Sequence, residues 1–197
     1  MKLVLASKNQ HKLVEMQTIL GQLGLEVMLE KDAGVDVDVE ETGVTFMENA
    51  ILKAKAVCEA SGMAAIADDS GLVVDALNGA PGVYSARYGG RDSDAARTAF
   101  LLENMADVPE AQRTARFVSA IACVLPDGTT VTAEGVCEGT ILFETRGDNG
   151  FGYDPVFYVP SLGKTFAEAD GAEKNAISHR GNALNEFLKA WKESGLC

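Results

Sequence analysis

Apolar and polar residues near the start of the chain follow two different patterns. Lys2–Ala6 is a short apolar run bounded by polar residues, which predicts a buried strand. Apolar residues then recur at three- and four-residue spacing, at Leu13, Met16, Leu20 and Leu23. This spacing predicts a helix that Asn9 caps and Gly24 ends. Glu26–Leu29 predicts a weaker second strand.

Three further segments predict helices. The clearest one begins at Thr45, which can form a capping box with Glu48, and continues in helix-forming residues to Gly62. Asp94–Met105 predicts another helix, and Gly181–Glu193 predicts the last. The buried face of this last helix is expected to consist of Leu184, Phe187, Leu188 and Trp191.

The remaining apolar segments predict strands. Ala64–Ala67 and Leu72–Val74 belong to a core segment that two consecutive acids interrupt. Arg116–Leu125 and Thr129–Val136 flank a Pro-Asp-Gly turn, which predicts a hairpin. Two more pieces of sheet are predicted, over Gly139–Phe143 and Pro155–Val159. Helices and strands that alternate early, with a hairpin later, predict a mixed α/β fold in which helices flank a long central sheet.

The composition is that of an ordinary globular protein. The 197 residues are 47% hydrophobic and 23% charged, so we expect a single domain over residues 1–197. The N-terminal apolar run is too short for a signal peptide and no segment reaches membrane-spanning length, which predicts a cytoplasmic protein. The separated cysteines, without a CxxC pair, argue against a zinc site or a disulfide framework. They are Cys58, Cys123, Cys137 and Cys197, of which the first three are expected in the core.

The formal net charge of −12 limits the possible partners. Long nucleic acid is bound by fields of Lys and Arg, so it is not an expected partner. A membrane is not an expected partner either, because no segment reaches membrane-spanning length. A small anion needs only a local cationic cluster, or a divalent metal that bridges acidic residues to phosphate oxygens.

Three places in the sequence have the chemistry for such a ligand. The first is a polar segment where a strand runs into a helix, a location that favours phosphate. It consists of Ser7, Lys8, Asn9, Gln10, His11 and Lys12. The alternative for this segment is a capped helix start with solvated lysines.

The second place is acidic. Carboxylates cluster at Asp36, Asp38, Glu40 and Glu41, and again at Asp68 and Asp69. A divalent cation with oxygen ligands would relieve their repulsion. For the first cluster a solvated acidic loop is equally consistent, whereas the second directly follows an apolar strand that would hold it rigidly.

The third place combines an aromatic ring with charged groups. Phe151, Gly152, Tyr153 and Asp154 follow a glycine-rich stretch, and the ring could stack on a nucleobase. Lys174, His179 and Arg180 form a cationic group before the last helix. The alternatives are a loop with one core Phe and a helix start with a solvated face.

Five segments in this order resemble the inosine triphosphate pyrophosphatase family. They are Ser7-Lys8-Asn9 with Lys12, EETGVTFMENAILKA, IADDSGLVVDALNGAPGVYSARY, GFGYDPVF and EKNAISHR, which together span residues 7 to 180. The resemblance implies a homodimeric, Mg²⁺-dependent enzyme with a substrate groove between two lobes. It also implies hydrolysis of ITP, dITP and XTP to the nucleoside monophosphate and pyrophosphate, which cleanses the nucleotide pool.

The resemblance also implies roles for residues on the phosphate side. Ser7, Asn9 and Lys12 would hold the triphosphate, within the segment that includes Lys8, Gln10 and His11. Ser70 would contribute a polar contact near the phosphates. Glu41 and Asp69 would bind Mg²⁺, with Glu40 as the alternative to Glu41, and Asp69 would also activate the attacking water.

On the base side, the resemblance implies that Phe151 stacks on the purine, with Gly152 and Tyr153 in the same substrate-binding segment. The rest of the purine pocket would consist of Asp154, Lys174, His179 and Arg180. Arg or His donors aimed at O6 and N7 would bind the acceptors of a 6-keto purine. In adenine they would face the amino group at position 6, which is itself a donor.

Two other functions are weighed against this one. An aspartyl-phosphate phosphatase also has a strand that runs into an Asp, but it needs a second Asp two residues on, where this chain has Ser70. A non-catalytic nucleotide sensor would use the same pocket without turnover, and a phosphate-release assay with added pyrophosphatase would distinguish it.

Overall fold

The computed structural model, which describes residues 1–196 apart from the side chain of His11, contains a seven-stranded mixed sheet flanked by helices. Its strands are β1 (Lys2–Leu5), β2 (Glu26–Leu29), β3 (Ala65–Val74), β4 (Thr114–Val124), β5 (Thr130–Ile141), β6 (Phe157–Val159) and β7 (Lys164–Thr165). Their order in the sheet is β2-β1-β3-β4-β5-β6-β7. β1 is parallel to β2 and β3, whereas β6 is antiparallel to β5 and β7. The predicted α/β fold with a mixed sheet is confirmed.

The α-helices of the described residues begin and end largely where the sequence predicts. They are α1 (Gln10–Leu20), α2 (Phe46–Ser61), α3 (Asp94–Asn104), α4 (Gly171–Ile177) and α5 (His179–Glu193). The capping box of α2 forms, since Thr45 Oγ1 accepts from Glu48 N–H at 3.1 Å and Glu48 Oε2 accepts from Thr45 N–H at 3.2 Å. Gly62 ends α2 with the left-handed φ of 67° that glycine permits. None of the helices described is long and apolar enough to span a membrane.

The structure corrects several predicted boundaries. β3 is one continuous strand, so the two acids do not interrupt it. The predicted strand Gly139–Phe143 is not separate but is the end of β5, which extends to Ile141. The hairpin is confirmed, with Leu125 N–H donating to Thr129 C=O across the turn, but both strands are longer than predicted. The short helix α4 and the strand β7 were not predicted.

Two compact units make up the described chain. Unit 1 contains residues 1–69, 119–135 and 182–196, and unit 2 contains residues 70–118 and 136–181. The core of unit 1 includes apolar residues of β1, α1 and α5, among them Leu5, Met16 and Trp191. The core of unit 2 includes Phe117, Phe157 and Phe166. Cys58, Cys123 and Cys137 are buried free thiols, as predicted, and Cys197 lies outside the described residues.

Candidate active site

The loop between β1 and α1 is organised by its own side chains. Ser7 Oγ accepts a hydrogen bond from Asn9 N–H at 3.1 Å, and Asn9 Oδ1 accepts one from Lys12 N–H at 3.3 Å. The loop leads directly into the N-terminus of α1, where the helix dipole favours an anion. Lys8 is exposed and its Nζ lies 2.6 Å from Oδ1 of Asp36, so its charge is directed toward the acidic loop.

Asp68 is a fully buried acid in the middle of β3. Its side chain has no solvent exposure, and its charge is balanced by Lys12, whose Nζ lies 2.9 Å from Asp68 Oδ2. Ser119 Oγ of β4 donates to Asp68 Oδ1 at 2.6 Å. A buried carboxylate needs such partners to offset its desolvation, which explains why β3 continues through the acids.

Asp69 and Glu41 share a single ammonium group. Lys53 Nζ of α2 lies 2.8 Å from Asp69 Oδ1 and 2.9 Å from Glu41 Oε1, and it also donates to the main-chain oxygen of Asp68 at 3.3 Å. The Lys53 and Asp69 side chains are only 15% and 11% exposed. We call these three residues, Glu41, Lys53 and Asp69, the shared-ammonium cluster.

The pKa shifts in this cluster reflect the shared charge. Burial raises the pKa of the Asp69 carboxyl, and the neighbouring Lys53 ammonium offsets only part of that rise. Burial alone would lower the pKa of Lys53, but Asp69 and Glu41 outweigh it and raise that pKa above its ordinary value. The Lys53 ammonium therefore offsets only part of the cost of burying the Asp69 carboxylate.

This donor set fits a divalent hard cation. Two carboxylate oxygens converge on one cationic nitrogen, and oxygen is the ligand type that Mg²⁺ prefers. Glu41 and Asp69 both pair with Lys53, whereas Glu40 is exposed. No group of three or more His, Cys, Asp or Glu side chains that could hold a metal ion occurs in the described part of the chain.

In unit 2, Asp154 organises the loop that carries Phe151. The buried Oδ2 of Asp154 accepts from Phe151 N–H at 3.0 Å and lies 2.6 Å from Lys174 Nζ. Burial raises the pKa of Asp154, and Lys174 partly offsets that rise. Gly150 has a φ of 77°, and a Cβ there would collide with the Asp154 carboxylate, so this position requires glycine.

The Phe151 ring remains accessible, with 55% exposure of the residue. Lys174 Nζ lies 4.6 Å from its ring centroid, a distance consistent with a cation–π interaction. The ring is therefore placed beside a cation and open to solvent, as a base-stacking side chain must be.

Three further predicted base-side residues, Tyr153, His179 and Arg180, are buried. His179 stacks on Phe117 with ring centroids 4.9 Å apart, and Arg180 Nη2 lies 3.4 Å from Ser70 Oγ. The alternative of a solvated face is therefore wrong for His179 and Arg180, which lie in the first turn of α5. Tyr153 is also buried, and its hydroxyl donates to the main-chain oxygen of Ser85 at 2.7 Å.

Comparison with known proteins identifies the family. The model of the Ham1 family matches residues 3–190. The chain belongs to the Ham1 family. It is 54% identical over 191 residues to a dITP/XTP pyrophosphatase of Exiguobacterium sibiricum, with 96% of each chain covered. It is 50% identical to a dITP/XTP pyrophosphatase of Thermus thermophilus, over 98% of this chain and 93% of the relative.

Solved Ham1 structures have the same fold. The Ham1 protein of Coxiella burnetii superposes with a TM-score of 0.91 at 46% identity, over 98% of this chain and 99% of the other. The Ham1 protein of Staphylococcus aureus gives 0.90 at 45% identity, over 99% and 100% of the two chains. The predicted family resemblance is confirmed.

Within this Ham1 chain, the structure brings together some predicted site residues and adds two. Glu41 meets Asp69, and Phe151 meets Asp154 and Lys174. Lys53 was not predicted as a site residue, although it lies in the segment EETGVTFMENAILKA. Ser119 was not predicted either, and its one signal is a hydroxyl inside the apolar run of β4.

Proposed function

We propose that this chain hydrolyses the non-standard purine nucleoside triphosphates ITP, dITP and XTP to the nucleoside monophosphate and pyrophosphate. Once hydrolysed, these nucleotides would no longer be available for incorporation into DNA and RNA. The observation that carries the proposal is the 54% identity, over 96% of both chains, to a relative named dITP/XTP pyrophosphatase.

On the phosphate side, the proposed binding groups are Ser7, Asn9, Lys12 and the first N–H groups of α1. Cations and helix N-terminal N–H groups screen a triphosphate so that a nucleophile can approach phosphorus. Asp69 would orient the attacking water and accept its proton as water adds to phosphorus and the α–β phosphate linkage breaks. Ser70, the next residue of β3, would add a hydroxyl contact.

On the base side, Phe151 would stack on the purine and Arg180 would donate to O6 or N7. The accessible ring of Phe151 supports the first role, and the buried guanidinium of Arg180 supports the second. A 6-keto purine accepts at both positions, whereas adenine presents a donor at position 6, so the pocket would favour inosine and xanthosine over adenosine. The groove between two lobes stays a prediction.

We further propose Mg²⁺ as the cofactor, held by Glu41 and Asp69. When bound, Mg²⁺ would screen the charge of the triphosphate. The convergence of the Glu41 and Asp69 carboxylates on one cationic nitrogen supports this assignment. Chelation with EDTA should abolish turnover, and added Mg²⁺ should restore it; full activity in excess EDTA would contradict the assignment.

The test of the reaction is a substrate panel of ITP, dITP, XTP, GTP and ATP with chromatographic product analysis. We expect monophosphate and pyrophosphate in equal amounts from the first three, and slow turnover of ATP. Diphosphate with orthophosphate would contradict the proposed bond cleavage. Tight binding without any product would support the sensor instead.

Assembly and location complete the proposal. A homodimer is supported by the family resemblance, and sedimentation at micromolar concentration should give twice the 20.8 kDa chain mass. A monomer in that experiment would contradict it. The cytoplasmic location stays a prediction.

A further inference from the structure

The main-chain N–H and C=O of Gly152, the residue after Phe151, are both hydrogen-bonded by side chains of helix α3. Asp94 Oδ2 accepts from Gly152 N–H at 2.8 Å, and Thr98 Oγ1 donates to Gly152 C=O at 3.2 Å. Both main-chain polar groups of one residue are therefore bonded to side chains one helical turn apart. Neither Asp94 nor Thr98 belongs to the residues predicted to bind substrate.

The residues of these two hydrogen bonds line a cavity. This cavity, of about 430 Å³, lies beside Phe151 and is lined by α3 and by residues of the Phe151 loop. A different cavity, of about 470 Å³, lies in unit 1. Ala95 and Ala99 of α3 line the cavity beside Phe151, together with Phe151 and Pro155. The polar contacts to Gly152 connect the loop to the helix beside this cavity.

The conformation of Gly152 makes those contacts consequential. Its φ of 61° is left-handed, a region that glycine enters and leaves easily. Phe151 N–H is already bound by Asp154, so a fixed Gly152 leaves the Phe151 backbone held on both sides. The direction of the Phe151 ring then follows from a constrained main chain.

Asp94 is itself well anchored. Its Oδ1 accepts from Arg97, whose guanidinium also donates to the main-chain oxygen of Arg91 at 2.8 Å. Burial alone would raise the pKa of Asp94, but Gly152 N–H and Arg97 lower it below its ordinary value. The hydrogen bond to Gly152 is thus charge-assisted, the stronger class of such bonds.

We propose that Asp94 and Thr98 are positioning residues for purine binding, which fix the main chain at Gly152 and so hold the Phe151 ring against the base. This inference rests on the proposed function for the role of Phe151. It assigns part of the purine binding to side chains of α3 that act through the Phe151 loop.

The first test compares four variants by KM and kcat for ITP. Asp94→Ala should raise KM about tenfold, the cost expected for losing a charge-assisted hydrogen bond, while kcat changes little. Thr98→Val should raise KM by a smaller factor, and Thr98→Ser, which keeps the hydroxyl, should restore the wild-type KM. Ser93→Ala is the matched control, because Ser93 Oγ caps α3 through Ala96 N–H without touching Gly152.

A purely structural role predicts a different pattern. Loss of α3 stability would lower the melting temperature and the active fraction in Ser93→Ala and Asp94→Ala alike, and would leave KM unchanged in both. An unchanged KM in Asp94→Ala, or an equal rise in Ser93→Ala, would overturn the inference.

A double-mutant cycle tests whether Asp94 acts through Phe151. Phe151→Ala should raise KM for ITP, and adding Asp94→Ala should raise it no further, because the ring to be positioned is gone. Fully additive effects would overturn the inference. If wild-type protein forms no IMP and pyrophosphate from ITP, the proposed function itself fails, which the same assay shows before any variant is compared.

Discussion

Replacing Lys53 by Met tests the shared-ammonium cluster directly. The substitution keeps a long, flexible side chain but removes the positive charge that lies within 2.9 Å of both Asp69 and Glu41. Two neighbouring carboxylates, one of them almost buried, are then left without that ammonium. We expect the folded state to lose stability because these charges are desolvated and repel each other.

The magnitude follows from burial. Removing one partner of a buried ion pair costs about 3–5 kcal/mol, and since Glu41 keeps 26% exposure we expect about 3 kcal/mol. For a chain of 197 residues, this corresponds to a melting temperature lower by about 6–12 °C. Lys55→Met is the matched control on the same helix. Lys55 pairs with Glu59 at 3.9 Å with both side chains more than 60% exposed, so its loss should cost about 0.5 kcal/mol or less.

The assay is thermal unfolding by circular dichroism, with and without Mg²⁺. A divalent cation should stabilise Lys53→Met more than the wild type, because the variant presents two carboxylates without a competing ammonium. Equal destabilisation by Lys53→Met and Lys55→Met would refute the reasoning that Lys53 neutralises buried acids. Equal stabilisation of both proteins by Mg²⁺ would refute the assignment of Glu41 and Asp69 as its ligands.

Three further variants test individual side chains. Asp69→Asn keeps the volume but removes the charge that takes the proton, so kcat for ITP should fall at least about a hundredfold while the circular dichroism spectrum is retained; wild-type kcat would exclude catalysis by Asp69. Arg180→Ala should weaken kcat/KM for ITP by about 1–3 kcal/mol and change ATP much less, and an unchanged ITP/ATP ratio would show that Arg180 does not read the base. Thr114 and Arg116 lower the pKa of Asp75, so the stability that Asp75→Asn removes should be present above about pH 5 and disappear as the pH falls through that lowered pKa. A pH-independent difference between wild type and Asp75→Asn in urea unfolding would contradict this.

Local features were predictable because their causes lie within a few residues. The start of α2 depends on Thr45 and Glu48, three positions apart, and its end depends on Gly62. The prediction that Asp68 and Asp69 interrupt the strand was wrong, because the cause of its continuity lies outside that segment. An Asp inside an apolar segment interrupts a strand unless partners neutralise it, and Lys12 and Ser119 come from distant parts of the chain.

The same limit applies to the candidate site. The five motifs indicated the correct family, since their order and spacing survive in the sequence whatever the fold. They could not reveal that Lys53 joins Glu41 to Asp69, because α2 and β3 become neighbours only after folding. Asp94 is a clearer case, since it binds a residue 58 positions away and belongs to none of the motifs.

The sequence by itself determined the family, the substrate class to be tested and the helices and strands whose signals are local. The tertiary structure decided which charges meet, which acids are buried and which helix supports the Phe151 loop. The physical reason is that secondary structure depends on spacing along the chain, whereas desolvation and charge pairing depend on distances in space that spacing does not specify.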